Sequence, residues 1–325
     1  MKGKLLEVPE RYPNIYSKEV SCSPYACRKK GRCANTFLTI LIFDVILFWV
    51  KLCKKGLYYT HMIEVRHLTK KYGEHLAVND VSFTVNDGEV FAFLGPNGAG
   101  KTTTVKMLTT LLHPTAGTVR LDDIDPVLEP ELARRQFGIV FQDPSLDDDL
   151  TAWENLDLHG VLYDVPDAAR KKGCDDLLKF VDLWERKDSL VKEFSGGMKR
   201  RLEIARGLLH EPKILFLDEP TTGLDPQTRN LLWDRLQELN KSKGMTIFLT
   251  THYMEEADRM ADRIAIMDEG KIVAAGTPAE LKKQTNTEFL EDAFLALTGK
   301  SIREEGGGGA DQAKAMGRMF RGGKR

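Results

Sequence analysis

Cysteine is scarce along most of this chain, which limits both disulfide and metal chemistry. Four of the five cysteines fall within the first 53 residues, and only Cys174 follows them. The spacings from Cys22 to Cys27 and from Cys27 to Cys33 leave four and five residues between them. Those intervals are wider than the close pairs of a zinc site. The main body is therefore expected to carry no disulfide framework, as fits a reducing compartment.

The chain also lacks an excess of charge of either sign. Its 47 lysines and arginines nearly balance 48 aspartates and glutamates, giving a formal net charge of −1. A protein that binds nucleic acid through its overall field carries a basic surplus. We therefore expect no nucleic acid partner.

A long apolar run is missing as well. The most apolar segment, FLTILIFDVILFWV at residues 37–50, has 14 residues, whereas a spanning helix needs about 20. Asp44 lies in its middle, at a cost of roughly 2.5–3.5 kcal/mol near a bilayer centre. Three interpretations stay open: a weak membrane anchor, a buried or interfacial helix, or an upstream stretch included through a wrongly assigned translation start.

Globular patterning begins at Met62 with MIEVRHLTKKYG, which favours the third interpretation as a hypothesis. A native protein whose intact mass begins at Met1 would contradict it. We divide the chain into an N-terminal extension (1–61), a nucleotide-binding domain (62–285), a C-terminal helix (286–303) and a glycine-rich, disordered tail (304–325). The C-terminal helix carries an apolar stripe of Leu290, Phe294 and Leu297, which predicts docking on its own domain or on a partner.

A glycine-rich loop follows the apolar strand VFAFL at residues 90–94 and matches the pattern G-x-x-x-x-G-K-[ST]. Val105, Leu108 and Leu112 then predict a helix that Pro114 stops. Strand, loop and helix together are the context of a phosphate-binding loop, whose amides and helix N-terminus attract anions. Lys101 is predicted to reach the β- and γ-phosphates, and the Thr102 hydroxyl to bind Mg²⁺. The predicted nucleotide contacts are Gly95, Pro96, Asn97, Gly98, Ala99, Gly100, Lys101, Thr102 and Thr103.

The remaining pattern alternates strands and helices, which predicts an α/β fold with a mostly parallel sheet. Strands are predicted at 62–68, on both sides of Asn86-Asp87-Gly88, at 116–122, in 136–142, at 213–220 and at 245–252. Residues 145–193 carry helical periodicity and predict an inserted helical subdomain. Leu232, Leu236 and Leu239 place one apolar stripe on a helix that Gly244 ends.

Polar residues follow three of the predicted strands, where an α/β sheet opens onto its ligand. Asp218 and Glu219 end the strand ILFLDE, so Asp218 can hold Mg²⁺ and Glu219 can accept a proton from water. His252 follows the strand TIFLTT and could bind a γ-phosphate or position the water. Gln142 ends another strand, and its amide could bind Mg²⁺ and orient water.

The segment FSGGMKRRLEIARGLLHEPKILFLDEPTTGLD (194–225) resembles the ATP-binding cassette (ABC) family, the ATPase subunits of ABC transporters. The resemblance runs from about residue 62 to 298 and rests on six motifs in family order. It implies a P-loop core with a parallel sheet, an antiparallel β subdomain and the inserted helical subdomain. It also implies roles for Glu219, His252 and Gln142 in catalysis, and for Asp218 at Mg²⁺. Tyr72 matches the aromatic that stacks on adenine, Ser195, Gly196 and Gly197 match the signature motif, and Asp225 matches the loop that communicates between sites.

The signature places a second set of bare amides at a helix N-terminus, in the helical block. The resemblance implies that two copies pair head to tail, so that each lends its signature to the other's ATP. It further implies a separate membrane permease on whose cytoplasmic face the protein sits. Met198, where other branches have Gln, and the segments TTGLDP and EFLEDAFLALTGKS resemble exporters of the drug-resistance type, with a drug or lipid-like cargo.

Two other classes of function are weighed against the transporter ATPase. A soluble ABC ATPase of the ribosome would usually carry two cassettes, and one of DNA repair would carry long heptads, neither of which this sequence has. A GTPase would read guanine with Asn-Lys-x-Asp, but NKSK at 240–243 ends in lysine.

Overall fold

The computed structural model describes residues 61–299, which contain two β-sheets. The first sheet is antiparallel, with the strand order β2-β1-β4. Its strands are β1 (His61–Tyr72), β2 (His75–Asn86) and β4 (Ala116–Leu121). The second has the order β5-β6-β7-β3-β8-β9 and is parallel except for β9. Its strands are β3 (Val90–Leu94), β5 (Phe137–Val140), β6 (Ile214–Asp218), β7 (Thr246–Thr251), β8 (Arg263–Asp268) and β9 (Lys271–Gly276).

Nine α-helices connect these strands in the described part of the chain. They are α1 (Lys101–Leu108), α2 (Pro130–Gln136), α3 (Ala152–Leu162), α4 (Asp167–Phe180), α5 (Gly196–Leu208), α6 (Pro226–Lys243), α7 (Met254–Met260), α8 (Pro278–Thr285) and α9 (Leu290–Thr298). Short 3₁₀ turns cover Trp184–Arg186 and Val191–Glu193. None of the helices within residues 61–299 has the length and apolar content needed to cross a membrane.

The central strands are covered on both faces, which explains their nearly continuous apolar sequence. Every residue of β3, β6 and β7 is buried. Because side chains alternate along a strand, Val90, Ala92 and Leu94 join the core that includes α6 and α7. Phe91 and Phe93 join the core shared with the antiparallel sheet. The predicted combination of a parallel-sheet core and an antiparallel β subdomain is confirmed.

The helical block predicted at residues 145–193 is also confirmed. Its helices α3 and α4 pack with α5 around a separate core that includes Leu156, Cys174, Leu178 and Leu202. Helix α3 begins with a capping box, in which Thr151 accepts from the Glu154 amide and Glu154 accepts from the Thr151 amide. Such a reciprocal cap fixes where the helix starts.

Two predicted boundaries need correction. Helix α1 ends at Leu108, well before Pro114, because the backbone turns at Thr110, whose φ is 65° in the left-handed region. Strand β5 ends at Val140 rather than at Gln142. The predicted turn at Asn86-Asp87-Gly88 lies between β2 and β3, which belong to different sheets.

The ends of two later helices agree with the sequence. Gly244 caps α6 with a φ of 64°, as expected of a helix-ending glycine. Helix α9 lies within the range predicted for a C-terminal helix, and its Leu290 and Phe294 are buried in the core with α6 and α7. Residues 1–60 and 300–325, with the predicted apolar run and the predicted tail, lie outside the described residues.

Candidate functional site

The glycine-rich loop joins β3 to α1 and packs too closely for larger residues. A Cβ atom on Gly95 would lie 2.2 Å from the Met267 carbonyl oxygen. One on Gly100 would lie 2.5 Å from the Ala77 oxygen, and Gly100 has a φ of 105°. By contrast, a Cβ on Gly98 would meet nothing within 4 Å. The first turn of α1 has no side-chain cap, which leaves its amides available for an anion.

Lys101 folds back beneath this loop and is 4% exposed. Its Nζ donates to the carbonyl oxygens of Gly95 at 2.8 Å and Pro96 at 3.2 Å. It also lies 3.5 Å from Glu219 Oε1. Burial lowers the pKa of Lys101, against the opposing charges of Glu219 and Asp218. A buried ammonium beside the loop is a suitable partner for a phosphate.

Asp218 ends β6 and is 1% exposed. Its Oδ1 accepts from the Thr102 hydroxyl at 3.2 Å and from the Thr250 hydroxyl at 2.5 Å. Its buried Oδ2 has no hydrogen-bond partner within residues 61–299. The structure therefore brings together Thr102 and Asp218, which the sequence predicted as metal ligands, and leaves one carboxylate oxygen free for a ligand.

Glu219 occupies an unusual backbone conformation, with a φ of 49°. Its amide donates to the carbonyl and hydroxyl oxygens of Thr250, at 3.1 and 3.0 Å. Although burial raises the pKa of Glu219, its interaction with His252 and the charge of Lys101 outweigh burial and lower the pKa below the usual range. The carboxylate is therefore ionised at neutral pH.

His252 directly follows β7 and faces Glu219. Its Nδ1 lies 3.3 Å from Glu219 Oε2, close enough for an ion pair but without the alignment of a hydrogen bond. The ring also packs on Tyr253, with centroids 4.1 Å apart. Glu219 thus lies between Lys101 and His252, two groups from different elements.

The other predicted residues lie outside this cluster. Gln142 is exposed, two residues beyond β5, and no hydrogen bond joins its side chain to the rest of residues 61–299. Tyr72 is 49% exposed and pairs with His75 at the tip of the β1–β2 hairpin. The second strand of that hairpin approaches the glycine loop at Ala77.

The signature residues lie at the N-terminus of α5. Ser195 caps the helix by accepting from the Met198 amide at 3.3 Å, and Gly196 has open space around it. Gly197 packs against Thr228 of α6. Asp225 caps α6 and accepts from the Thr228 hydroxyl at 2.6 Å. Signature and Asp225 loop are thus neighbours, and no hydrogen bond joins either to the glycine loop in the described chain.

Comparison with known proteins identifies the family. The ABC transporter family profile matches residues 78–222. The chain is 48% identical over 219 residues to the Nod factor export ATP-binding protein I of Burkholderia lata, covering 67% of this chain and 72% of that protein. It is 44% identical over 231 residues to the daunorubicin/doxorubicin resistance ATP-binding protein DrrA of Streptomyces peucetius, covering 71% and 70%.

The chain belongs to the ABC transporter family.

Solved ABC structures agree with this assignment. An ATP-binding subunit of an ABC transporter superposes with a TM-score of 0.68 and 34% identity, covering 73% of this chain and 99% of that one. The dimeric post-hydrolysis state of the ATP-binding cassette MJ0796, bound to ADP and Pi, gives a TM-score of 0.61 and 29% identity, covering 66% and 98%.

The backbone amides of the glycine loop and the side chains of Thr102 and Asp218 fit a nucleotide with bound Mg²⁺. The glycine loop offers uncapped amides and open space at Gly98. A free oxygen of Asp218 lies beside the Thr102 hydroxyl. No group of three or more metal-ligating His, Cys, Asp or Glu side chains occurs among the described residues. That is compatible with Mg²⁺, which binds through one or two carboxylates and completes its shell with water and phosphate.

Sequence reasoning missed several supporting residues. Thr250 joins Asp218 to Glu219, yet a threonine in an apolar strand carries no distinctive signal. Glu256 of α7 is 6% exposed and accepts from Thr221 at 2.8 Å and from Thr251 at 3.5 Å. It therefore connects the segment after Glu219 with the residue before His252. A charged residue buried in a short helix could be found only once its partners were placed.

Proposed function

We propose that this ABC subunit binds and hydrolyses ATP to ADP and phosphate, and thereby powers export through a separate membrane permease. The observation that carries the proposal is the convergence of Lys101, Asp218, Glu219 and His252 at one edge of the parallel sheet. A purely structural nucleotide site would need the loop and lysine but not a histidine-paired carboxylate.

The phosphates are bound by the amides of residues 95–103 together with Lys101. The Lys101 ammonium donates to the Gly95 and Pro96 carbonyls, so the loop itself fixes its position. Such pre-positioning reduces the entropy lost when the phosphate chain binds. Tyr72 stacks on the adenine from the hairpin side.

Thr102, Asp218 and Gln142 would hold Mg²⁺. When bound, the ion neutralises charge on the phosphates and orients them. Asp218 supplies the unpartnered Oδ2, and the Thr102 hydroxyl already lies beside the same carboxylate. Gln142 would join from its exposed loop, which makes it the ligand that depends most on loop position.

Glu219 orients the attacking water and accepts its proton. The neighbouring Lys101 and His252 keep this carboxylate ionised, so it is in the form that can receive a proton. His252 holds the carboxylate and contacts the γ-phosphate. The left-handed backbone at Glu219 is held by Thr250, which accepts from the Glu219 amide.

Two subunits complete each other's sites. Ser195, Gly196 and Gly197 present a helix N-terminus with open space at Gly196, and Asp225 lies beside it. In a head-to-tail dimer these residues close over the partner subunit's nucleotide. The dimeric state described for the MJ0796 cassette, with ADP and Pi, supports this arrangement.

The permease places the subunit at the cytoplasmic face of the membrane, where ATP is available. The names of the two relatives, one for Nod factor export and one for daunorubicin/doxorubicin resistance, support export of a drug or lipid-like cargo. The domain boundaries at 62, 286 and 304 are part of the same proposal, in which residues 62–285 form the nucleotide-binding domain.

A nucleotide assay combined with capture of the permease tests this function. The purified chain should hydrolyse ATP in preference to GTP, with Mg²⁺ required, and Lys101→Ala should abolish turnover. The tagged chain should recover a polytopic membrane protein from native membranes. ATP turnover equal in the parent and in Lys101→Ala would contradict the proposal, and recovery of ribosomes instead would favour the soluble class of ABC ATPase.

A further inference from the structure

The loop that carries Gln142 is held almost entirely by one face of the signature helix α5. Arg200 donates to the carbonyl oxygens of Phe141 and, at 2.9 Å, of Gln142. Glu203 accepts from the Ser145 amide at 2.9 Å. Arg206 donates to the carbonyl and hydroxyl oxygens of Ser145, each at 2.5 Å. In the described chain, all the hydrogen bonds of residues 142–146 run to these three side chains.

The spacing of the three residues explains how one helix can do this. Positions three apart lie on the same face of an α-helix, so Arg200, Glu203 and Arg206 form a continuous polar row. Residues 142–145 are themselves exposed and have no regular secondary structure. The position of the Gln142 backbone therefore depends on α5 rather than on the sheet it follows.

The row is buried in an unusual way for charged residues. Arg200 is 6% exposed, Glu203 is fully buried, and the two form an ion pair at 3.2 Å. Buried ion pairs rarely stabilise a fold more than well-packed apolar residues would. Here Arg200 and Glu203 also hydrogen-bond to three backbone groups of the loop, those of Phe141, Gln142 and Ser145. Their role is therefore to position the loop.

The same helix begins with Ser195, Gly196 and Gly197. Under the proposed function, on which this inference rests, those residues contact the nucleotide of the partner subunit. Only four residues, or little more than one helical turn, lie between Ser195 and Arg200. A displacement of α5 on engaging the partner's nucleotide would therefore move the loop of Gln142.

We propose that Arg200, supported by Glu203 and Arg206, is the positioning residue that couples the two nucleotide sites of the dimer. When the signature of one subunit binds the partner's nucleotide, Arg200 sets the position of Gln142 at the nucleotide of its own subunit. Within residues 61–299, none of the three side chains hydrogen-bonds to Lys101, Asp218, Glu219 or His252. Their effect is transmitted through the loop backbone.

The test is a double-mutant cycle between the row and Gln142. Arg200→Met combined with Glu203→Gln removes the ion pair without leaving a buried charge, and the new amide can still accept from Ser145. We expect the rate at saturating ATP to fall about ten- to a hundredfold, as misplacement of a positioned group does. The affinity of the single subunit for a fluorescent ATP analogue should stay within about twofold, since the glycine loop is untouched.

The cycle separates positioning from a structural role. If Arg200 acts through Gln142, combining Arg200→Met and Glu203→Gln with Gln142→Ala should cause no further loss of rate. The effects of substitutions at residues that act through one another do not add. The Hill coefficient for ATP should fall towards one in the variant with Arg200→Met and Glu203→Gln. A variant with Arg200→Lys alone should keep part of the parent rate. Fully additive losses would overturn the inference.

A neighbouring arginine provides the matched control. Arg201, on the same helix, donates to the backbone oxygens of Val181 and Asp182 instead of the loop. Arg201→Met should lower the melting temperature with little change in rate or Hill coefficient. If the parent is cooperative for ATP and the variant with Arg200→Met and Glu203→Gln keeps the parent rate, the proposed coupling is wrong while the proposed function stands. If the unmodified protein does not hydrolyse ATP, both the proposed function and the proposed coupling are wrong.

Discussion

Glu219 combines a strained backbone with a carboxylate held between Lys101 and His252. A non-glycine residue with positive φ costs of order 1–3 kcal/mol and persists where the surroundings enforce it. Thr250 supplies that enforcement through two contacts with the Glu219 amide. Because the pKa of Glu219 is lowered on folding, its ionised form stabilises the fold above its ordinary pKa. That stabilisation is lost as the pH falls through the lower value of the folded state.

Glu219→Gln should abolish turnover while leaving ATP binding. The amide preserves the shape but cannot accept a proton, so we expect a rate loss of roughly 10²- to 10⁴-fold. The bound state should accumulate as a dimer, visible by size-exclusion chromatography with ATP. A variant that hydrolyses ATP at the parent rate would show that Glu219 has another role.

Thr250→Val tests the residue that aligns Asp218 with Glu219. The change is nearly isosteric but removes the hydroxyl that donates to Asp218 and accepts from Glu219. We expect a stability loss of about 1–3 kcal/mol and a clear fall in turnover. Thr246→Val, in the same strand, is the control: it loses only the bond from the Gly88 amide. Equal turnover in the two variants would contradict an aligning role.

At the scale of single residues, sequence motifs predict the residues proposed to bind or cleave the nucleotide. They do not predict the residues that position them. Lys101, Asp218 and Glu219 stand in spaced motifs, each with a chemical reason for its residue type. Thr250 and Arg200 act only through distant partners, 32 and 58 residues away along the chain. Their roles depend on how strands and helices meet, which a local pattern does not contain.

At the scale of elements, the C-terminal helix α9 is part of the folded domain. Phe294 is 1% exposed in the core with α6 and α7, whereas Phe289 at the start of the helix is 64% exposed. Phe294→Ala should destabilise the protein by about 3–5 kcal/mol in urea unfolding, as large core truncations do. Phe289→Ala, the matched control, should change stability by no more than about 0.5 kcal/mol. Similar effects of both would argue that α9 does not pack on the domain.

Helix α3 carries a histidine whose burial makes the fold sensitive to acid. The His159 ring packs at a tilt against Tyr163 and His210, with centroids 4.6 and 5.9 Å away. Burial, with the nearby charges of Arg206 and His210, lowers the pKa of His159 from 6.5 to about 3. The unfolded chain therefore binds the proton more readily, so stability falls as the pH drops from about 6.5 towards 3.

His159→Phe should make that loss smaller. Its Nε2 has no hydrogen-bond partner within residues 61–299, so an apolar ring should cost little at neutral pH. Between about pH 7 and about pH 5, we expect the variant to lose about 1 to 2 kcal/mol less than the parent. Urea unfolding at both pH values measures this, and an unchanged difference would contradict the prediction. Since burial also lowers the pKa of His210, part of the acid dependence should remain.

Element boundaries show where sequence periodicity stops being informative. Leu112 continues the apolar spacing of α1, but the left-handed turn at Thr110 ends the helix first. Strands β8 and β9 and helices α2, α7 and α8 were not predicted at all. Strand β9 forms the edge of its sheet and alternates only between exposed and partly buried residues, so its sequence lacks the apolar character of β3 or β6.

At the scale of the whole molecule, one subunit contains two features that we propose to bind anions, and no hydrogen bond joins them within residues 61–299. The glycine loop begins α1 and the signature begins α5, and α5 also packs into the helical subdomain. In the proposed dimer, each signature closes over the other subunit's glycine loop. Turnover per molecule should therefore rise with protein concentration, because a dimer must form before ATP can be cleaved.

Ser195→Arg tests this shared site directly. The long cation would fill the open space at the start of α5 and prevent closure, so hydrolysis should stop while the single subunit keeps its ATP affinity. Because Ser195 also caps α5, the change should cost about 1 kcal/mol of stability. Thr277→Arg is the matched control, since it removes the cap of α8, far along the chain from either motif. The control should lose comparable stability and keep its turnover; loss of ATP affinity in Ser195→Arg would mean that one subunit holds both features at a single nucleotide.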